Sequence, residues 1–329
     1  MAPLLEVDDL RVAFSSPEGR VAAVRGVTFQ LHAGETLALV GESGSGKSTI
    51  ALSILRLLPA SGRIVGGVIR FGEEDLVRVR PRSLRRIRGG RIAIVFQDSM
   101  ASLNPLLTVG RQITESLETH AGLRGNAARR RAAELLDEVG VPDPVRRLKQ
   151  FPHQLSGGLR QRVAIAIALA PSPDLLIADE PTTALDVTLQ AQLLELLRRE
   201  QRDREMALLM ITHDFGVVSS FADRVAVMYA GRVVEHGQTE TLFAHPRHPY
   251  TLGLLRSVPR IDNELPDRLP AIPGSPPNMS RLEDGCPFHS RCPFALPRCA
   301  TTEPDLAARD DEGHAAACWA DVRSLVRSA

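Results

Sequence analysis

Residues 41–48, Gly41-Glu42-Ser43-Gly44-Ser45-Gly46-Lys47-Ser48, separate one glycine from a Gly-Lys-Ser triplet by four residues. Small residues at Ser43, Gly44, Ser45 and Gly46 free the backbone to curl, so consecutive N–H groups turn inward and bind an anion mostly through main chain. In that geometry Lys47 reaches the β- and γ-phosphates of a nucleotide, and the Ser48 hydroxyl ligates magnesium. Thr49 opens a helix whose positive end faces the same charge. A Gly/Ser surface loop would have the same composition, and the flanks decide between the two. Residues 36–40 (TLALV) are an apolar run of strand length, and residues 50–58 are apolar with good helix formers.

Two adjacent carboxylates, Asp179 and Glu180, close the apolar run 175–178. Carboxylates at the end of a buried strand are costly unless a cation or substrate uses them, which assigns Asp179 to magnesium and Glu180 to an attacking water. Gln97 follows another buried run, 92–96, where a parallel strand opens towards a ligand. His213 lies just past a further one, 207–211. A lone histidine is ordinarily a core or surface residue, but ligands gather at the carboxyl ends of parallel strands. Ser156-Gly157-Gly158 leads into the apolar stretch 163–170, with Ser156 as N-cap, and gives a second helix terminus with open N–H groups; the same triplet also occurs in ordinary loops. Phe14, upstream of the glycine loop, is either core or an aromatic that stacks on an adenine.

Positioning these groups requires strands alternating with helices. The apolar runs 4–7 and 10–14, joined to 21–24 through the turn-like residues 15–19, read as an antiparallel hairpin edge, and the glycines of 60–80 as more hairpin. Seven arginines between Arg78 and Arg91 form a solvated helix face, not an RNA site. A helical insert is expected over about 98–165, a helix from Val187 to about Arg202 with Leu189, Leu193, Leu196 and Leu197 on one face, and closing strands at 225–229 and 233–235. Forty basic and thirty-nine acidic side chains nearly cancel, which argues against a nucleic-acid binder. The N-terminal segment lacks a basic region followed by an apolar stretch, and no segment approaches the roughly 18 apolar residues of a membrane span. A cytosolic chain is expected, reaching a membrane only through a protein partner.

Taken together, the order GESGSGKS, Gln97, LSGG, LLIADE, TALD, His213 resembles the ABC-type ATPases over residues 4–240. The resemblance implies an α/β P-loop NTPase fold of ABC type, a mixed sheet with an antiparallel β edge and a helical insert, and hydrolysis of ATP with magnesium. It implies that Phe14 stacks on adenine, that Asp186 belongs to the nucleotide site and that Gln97 links the magnesium site to a partner. Glu180 becomes the general base and His213 the γ-phosphate sensor. Leu159 stands where the family's signature carries glutamine, so one polar contact is absent while the backbone donors remain. One phosphate loop and one signature per chain imply a second ATPase subunit, similar but not identical, that completes each site.

Residues 96–105 and 245–255 (HPRHPYTLGLL) narrow the resemblance to importers of oligopeptides, dipeptides, nickel or glutathione. The branch implies two integral-membrane permease subunits, contacted by 96–105, an extracytoplasmic solute-binding protein and a location on the inner face of the cell membrane. The competing class is a non-transport ABC ATPase acting on nucleic acid or ribosomes with a zinc tail; a third, a catalytically dead module, conflicts with Glu180 and His213.

The expected organisation is an ATPase domain over 1–240, a connecting helix over 241–257, and a Pro-rich linker and Cys-rich region over 258–329. All four cysteines, Cys286, Cys292, Cys299 and Cys318, crowd into that tail, expected as a small domain of its own in which a metal replaces a missing core. The spacing lacks Cys-x2-Cys pairs and Cys-Pro steps recur in iron–sulfur proteins, so a 4Fe–4S cluster on all four thiolates is the first choice, mainly by resemblance to peptide-branch ATPases with this tail. Zinc is the alternative, and reduced thiols buried as small apolar groups the default. His289 and His314 could serve as substitute ligands, but are expected at the surface.

Overall fold

The computed structural model describes residues 2–17, 19–97, 102–183, 185–258, 271–309 and 313–322. They divide into two compact units: one of residues 1–4, 31–35 and 78–211, the other of residues 5–30, 36–77 and 212–329. In the second unit β1 (Leu5–Ser16), β2 (Gly19–Leu31), β4 (Gly62–Phe71) and β5 (Glu74–Asp75) form an antiparallel sheet ordered β2-β1-β4-β5, while β3 (Thr36–Val40) lies in another sheet. Alternation along β1 buries Leu5 and Val7, then Leu10 and Val12. The odd step between Val7 and Leu10 is absorbed by a register shift after Asp8. Phe14 pairs with Gly62, and its ring covers the place a Cβ would occupy there.

The other unit holds three parallel strands, β6 (Ile92–Val95), β7 (Leu175–Asp179) and β8 (Ala207–Thr212, through Ile211). Every residue of β7 and β8 is buried, as strands covered on both faces require. The helix Gly157–Leu169 packs on β6 and is itself packed by the helices Val109–Ser116 and Gly125–Glu138, while the helix Val187–Arg204 buries Leu193, Leu196 and Leu197 and half-buries Leu189. The arginine run forms the helix Pro81–Ile87, which buries Leu84 and Ile87 and leaves most of its arginines in solvent.

Back in the second unit, β3 runs parallel to β9 (Arg224–Tyr229), which makes a hairpin with β10 (Arg232–Gln238). Two short strands of the tail, β11 (Ala307–Ala308) and β12 (Ala315–Ala316), extend the order to β11-β12-β10-β9-β3. The separate small tail domain expected from the sequence is therefore not seen. Phe288 is buried in one core with Val40, Val227, Tyr229 and Tyr250, and Ile272, Met279, Leu282, Cys286 and Cys292 pack against it. Its ring centroid lies 5.3 Å from Tyr229 and 5.4 Å from Tyr250, both edge-on. Glu303 accepts from Arg25 at 2.8 Å and pairs with Arg232 at 3.0 Å, tying the far end of the tail to two strands.

Buried polar groups complete the seat. The Glu235 carboxylate accepts the N–H groups of Arg247 and His248 at 2.6 and 3.0 Å and meets His314 Nε2 at 2.8 Å. His314, expected at the surface, is fully buried by this pairing, while His289 is half-buried with Nδ1 2.9 Å from the Cys286 carbonyl. His248 N-caps the helix Pro249–Arg256 through Nδ1, which accepts the Tyr250 N–H at 3.1 Å. Burial lowers its pKa from 6.5 to about 3. Below 6.5 the unfolded chain takes up a proton that the folded chain excludes, so this contribution to stability is complete above 6.5 and lost as pH falls towards 3. Urea midpoints should drop on acidification, and His248→Asn, which keeps a capping side chain, should flatten the drop by roughly 2 kcal/mol at about pH 5.

Candidate functional site

The glycine loop follows β3 and runs into the helix Lys47–Ile54, with Gly46 as a left-handed N-cap. Lys47 is buried, and its Nζ donates to the Gly41 carbonyl at 2.7 Å, the Glu42 carbonyl at 3.0 Å and Ser45 Oγ at 3.3 Å. The loop is thus wrapped around its own ammonium, with Ser43, Gly44 and Ser48 exposed on the outside. Two glycines are sterically required. A Cβ on Gly41 (φ +150) would fall 2.2 Å from the Met228 carbonyl, and one on Gly46 (φ +103) 2.6 Å from that of Ala23. Gly44 (φ +79) faces open space.

Glu42, which carries no role in the sequence pattern, is held from two directions. Its N–H donates to the Tyr250 hydroxyl at 2.8 Å, and its carboxylate accepts both terminal nitrogens of Arg291 at 2.7 and 2.9 Å. Both partners come from beyond residue 240, from stretches read as a capped helix and a cysteine tail. Burial also raises the Tyr250 pKa, which keeps the phenol protonated.

The other unit carries the carboxylates. Asp179 is buried at the end of β7. Glu180 adopts φ +48, a left-handed conformation that costs a non-glycine residue about 1 kcal/mol or more. Its N–H donates to the Ile211 carbonyl at 2.8 Å, and its carboxylate accepts Gln97 Nε2 at 2.7 Å and Thr183 Oγ1 at 2.9 Å. Gln97 and Glu180, separate in the sequence reading, are therefore hydrogen-bonded to each other. Ser156 is the expected N-cap, accepting from the Leu159 N–H, and Gly157 stands exposed at the helix start. Asp186 caps the helix Val187–Arg204, accepting the Leu189 N–H at 2.9 Å. In the second unit His213 is exposed, just before the Asp214 cap of the helix Phe215–Phe221.

Among the described residues no group of three or more His, Cys, Asp or Glu side chains is arranged to hold a single metal ion. This supports neither the 4Fe–4S cluster nor the zinc expected in the tail. Burial, then the charges of Cys299 and Cys318, push the Cys286 thiol up to about 11; burial, then Cys318, Cys286 and Cys299, do the same to Cys292. The Cys286 N–H donates to the Cys299 carbonyl at 2.8 Å.

Residues 24–183 match the ABC transporter family model, and residues 234–299 match the model of the oligopeptide/dipeptide transporter C-terminal region. The dipeptide transport ATP-binding protein DppD of Bacillus subtilis is 50% identical over 97% of this chain and 95% of its own length. The oligopeptide transport ATP-binding protein OppD of Salmonella typhimurium is 48% identical over 98% and 95%. The chain belongs to the ATP-binding proteins of the oligopeptide/dipeptide ABC transporters. Among solved structures, a dimeric ATP-binding cassette in a post-hydrolysis state, bound to ADP and Pi, superposes with TM-score 0.64 at 29% identity, covering 71% of this chain and 98% of that one. In this ABC ATPase the phosphate loop lies in the part matched by the general family model. Tyr250 and Arg291, which hold Glu42, lie in the part matched by the C-terminal one. The steric argument gives a direct comparison by nucleotide titration: Gly41→Ala should abolish measurable ATP binding, whereas Gly44→Ala should cost only the roughly 1–2 kcal/mol of a left-handed alanine.

Proposed function

We propose that this ABC ATPase hydrolyses ATP to power import of di- or oligopeptides through a membrane permease. The observation that carries the reading is the pairing of an intact phosphate loop with a C-terminal region of the oligopeptide/dipeptide type, in a chain about half identical to DppD and OppD over nearly its whole length. Nothing comparable favours a nucleic-acid or ribosome partner.

In the proposed reaction the loop amides and Lys47 bind the phosphates, Phe14 stacks on the adenine, and Glu180 orients the water that attacks the γ-phosphate in line. Magnesium would be held by Ser48, Gln97 and Asp179 and would supply charge neutralisation for the phosphates. The Gln97 amide and Thr183 hydroxyl, both donating to Glu180, hold that carboxylate in one orientation. Lys47 must exchange its loop carbonyls for phosphate oxygens, a substitution of one set of acceptors for another. Ser156, Gly157 and Gly158 present their helix terminus, together with Asp186, to nucleotide held by a second ATPase subunit, where exclusion of water strengthens the dipole. His213 senses the γ-phosphate.

The subunit would sit at the inner face of the membrane, bound to two permease subunits that are served by an extracytoplasmic binding protein. No helix among the described residues is long and apolar enough to cross a membrane. Residues 98–101 of the expected permease contact lie outside the described residues, but Leu106 beside them is 83% exposed, an apolar side chain suited to a protein partner. Lys47→Ala should abolish ATP binding, while Glu180→Gln should keep it and lower turnover by about 100-fold or more; normal turnover by Glu180→Gln would remove it as base.

We propose further that Cys286, Cys292, Cys299 and Cys318 hold a 4Fe–4S cluster. The reading is supported by four thiols in one short segment, where Cys286 and Cys292 pack against the same core and the Cys286 N–H donates to the Cys299 carbonyl. Anaerobically purified protein should contain iron and sulfide in near-stoichiometric amounts, and the Cys292→Ser variant should lose them; zinc, or no metal, would overturn this assignment and leave the ATPase reading intact.

A further inference from the structure

Arg291 sits in the short turn His289–Arg291, between Cys286 and Cys292, with a side chain only 5% exposed. Its guanidinium is committed on several sides. Nη1 and Nη2 donate to the two Glu42 oxygens at 2.7 and 2.9 Å, Nε donates to the Pro273 carbonyl at 2.8 Å, and Nη1 also reaches the Tyr229 hydroxyl at 3.3 Å. The rings of Tyr229 and Phe288 lie on its flanks, each centroid 5.8 Å away. A planar fork held this way has one orientation, and it imposes that orientation on the carboxylate it grips.

Glu42 cannot respond by moving alone. Its N–H is fixed on Tyr250, and its carbonyl, at 3.0 Å, is one of the acceptors that hold the Lys47 ammonium. The same residue therefore joins the C-terminal region to the lysine of the phosphate loop through three separate groups.

We propose that Arg291 is a positioning residue for the phosphate loop: by fixing Glu42 it holds the backbone of the loop in place, so ATP affinity depends on how the C-terminal region is seated. This rests on the ATP-binding reading above. A buried ion pair adds little net stability over an apolar pair of the same shape, whereas it does specify geometry, here that of a loop whose glycines leave it few side-chain contacts.

The test is ATP titration and steady-state ATPase kinetics on the full chain carrying Arg291→Met, Arg291→Lys, Glu42→Gln and the double variant Arg291→Met/Glu42→Gln, with Lys47→Ala as the control that removes binding. Arg291→Met should raise the ATP Kd and KM about tenfold or more while kcat changes by less than about twofold. Arg291→Lys, with one ammonium in place of a fork, should recover part of the loss. The double variant should bind ATP no more weakly than the worse single one, because both remove the same strut. Wild-type affinity in Arg291→Met, or additive losses in the double variant, would overturn the inference. Should Arg291→Met fail to fold, Glu42→Gln carries the test from the loop side, keeping an acceptor for Arg291 while removing its charge, and unchanged ATP affinity in it would be equally fatal. Absence of ATP binding by the wild type would instead sink the functional reading.

Discussion

A loop that binds phosphate with its backbone must give up most of the side chains that would otherwise hold it still, and Glu42 is where this loop is fastened. Gly41 and Gly46 are glycines because carbonyls of neighbouring strands occupy the space a Cβ needs. Between them, the Glu42 N–H is taken by Tyr250, its carboxylate by Arg291 and its carbonyl by Lys47. The sheet, the helix Pro249–Arg256 and the turn after Cys286 all converge on that one residue. Remove it, and the loop would lose its tie to the C-terminal region, keeping the strand before it, the helix after it and the Gly231 N–H on the Ser45 carbonyl.

The chemistry-bearing residues were legible because their roles are local. A glycine spacing, carboxylates at the end of an apolar run and a serine ahead of a helix each declare themselves within a few residues, and each lies on the expected element. The clamp on Glu42 was not legible, since it joins positions separated by 208 and 249 residues and no short-range rule reaches that far. The tail was misjudged for a related reason. Phe288, Ile272, Met279 and Leu282 bury apolar surface from irregular chain, where neither a period of two nor one of 3.6 marks the inward side, so the segment looked poor in core. His314 likewise looked like a surface residue until Glu235, 79 positions away, supplied its partner.

Glu180 shows how a carboxylate is kept in place by its own unit. A left-handed backbone at a residue other than glycine is tolerated where its surroundings over-determine it, and here the Ile211 carbonyl, Gln97 and Thr183 do so together. Asp186 and Ser156 illustrate the opposite economy: each already caps a helix, so a second role in nucleotide binding must be compatible with, or replace, that bond.

The short strands of the tail have an effect on how the molecule meets others of its kind. β10 is bonded to β9 on one side, and on the other Glu235 and His236 pair with Ala316 and Ala315, while the Ala317 N–H donates to the Val234 carbonyl. Without them a row of unpaired donors and acceptors along a mostly buried strand would be open to any chain able to lie alongside, the commonest route to uncontrolled strand-to-strand association. Two alanines beside β10 thus close part of that edge with the chain's own C-terminal segment.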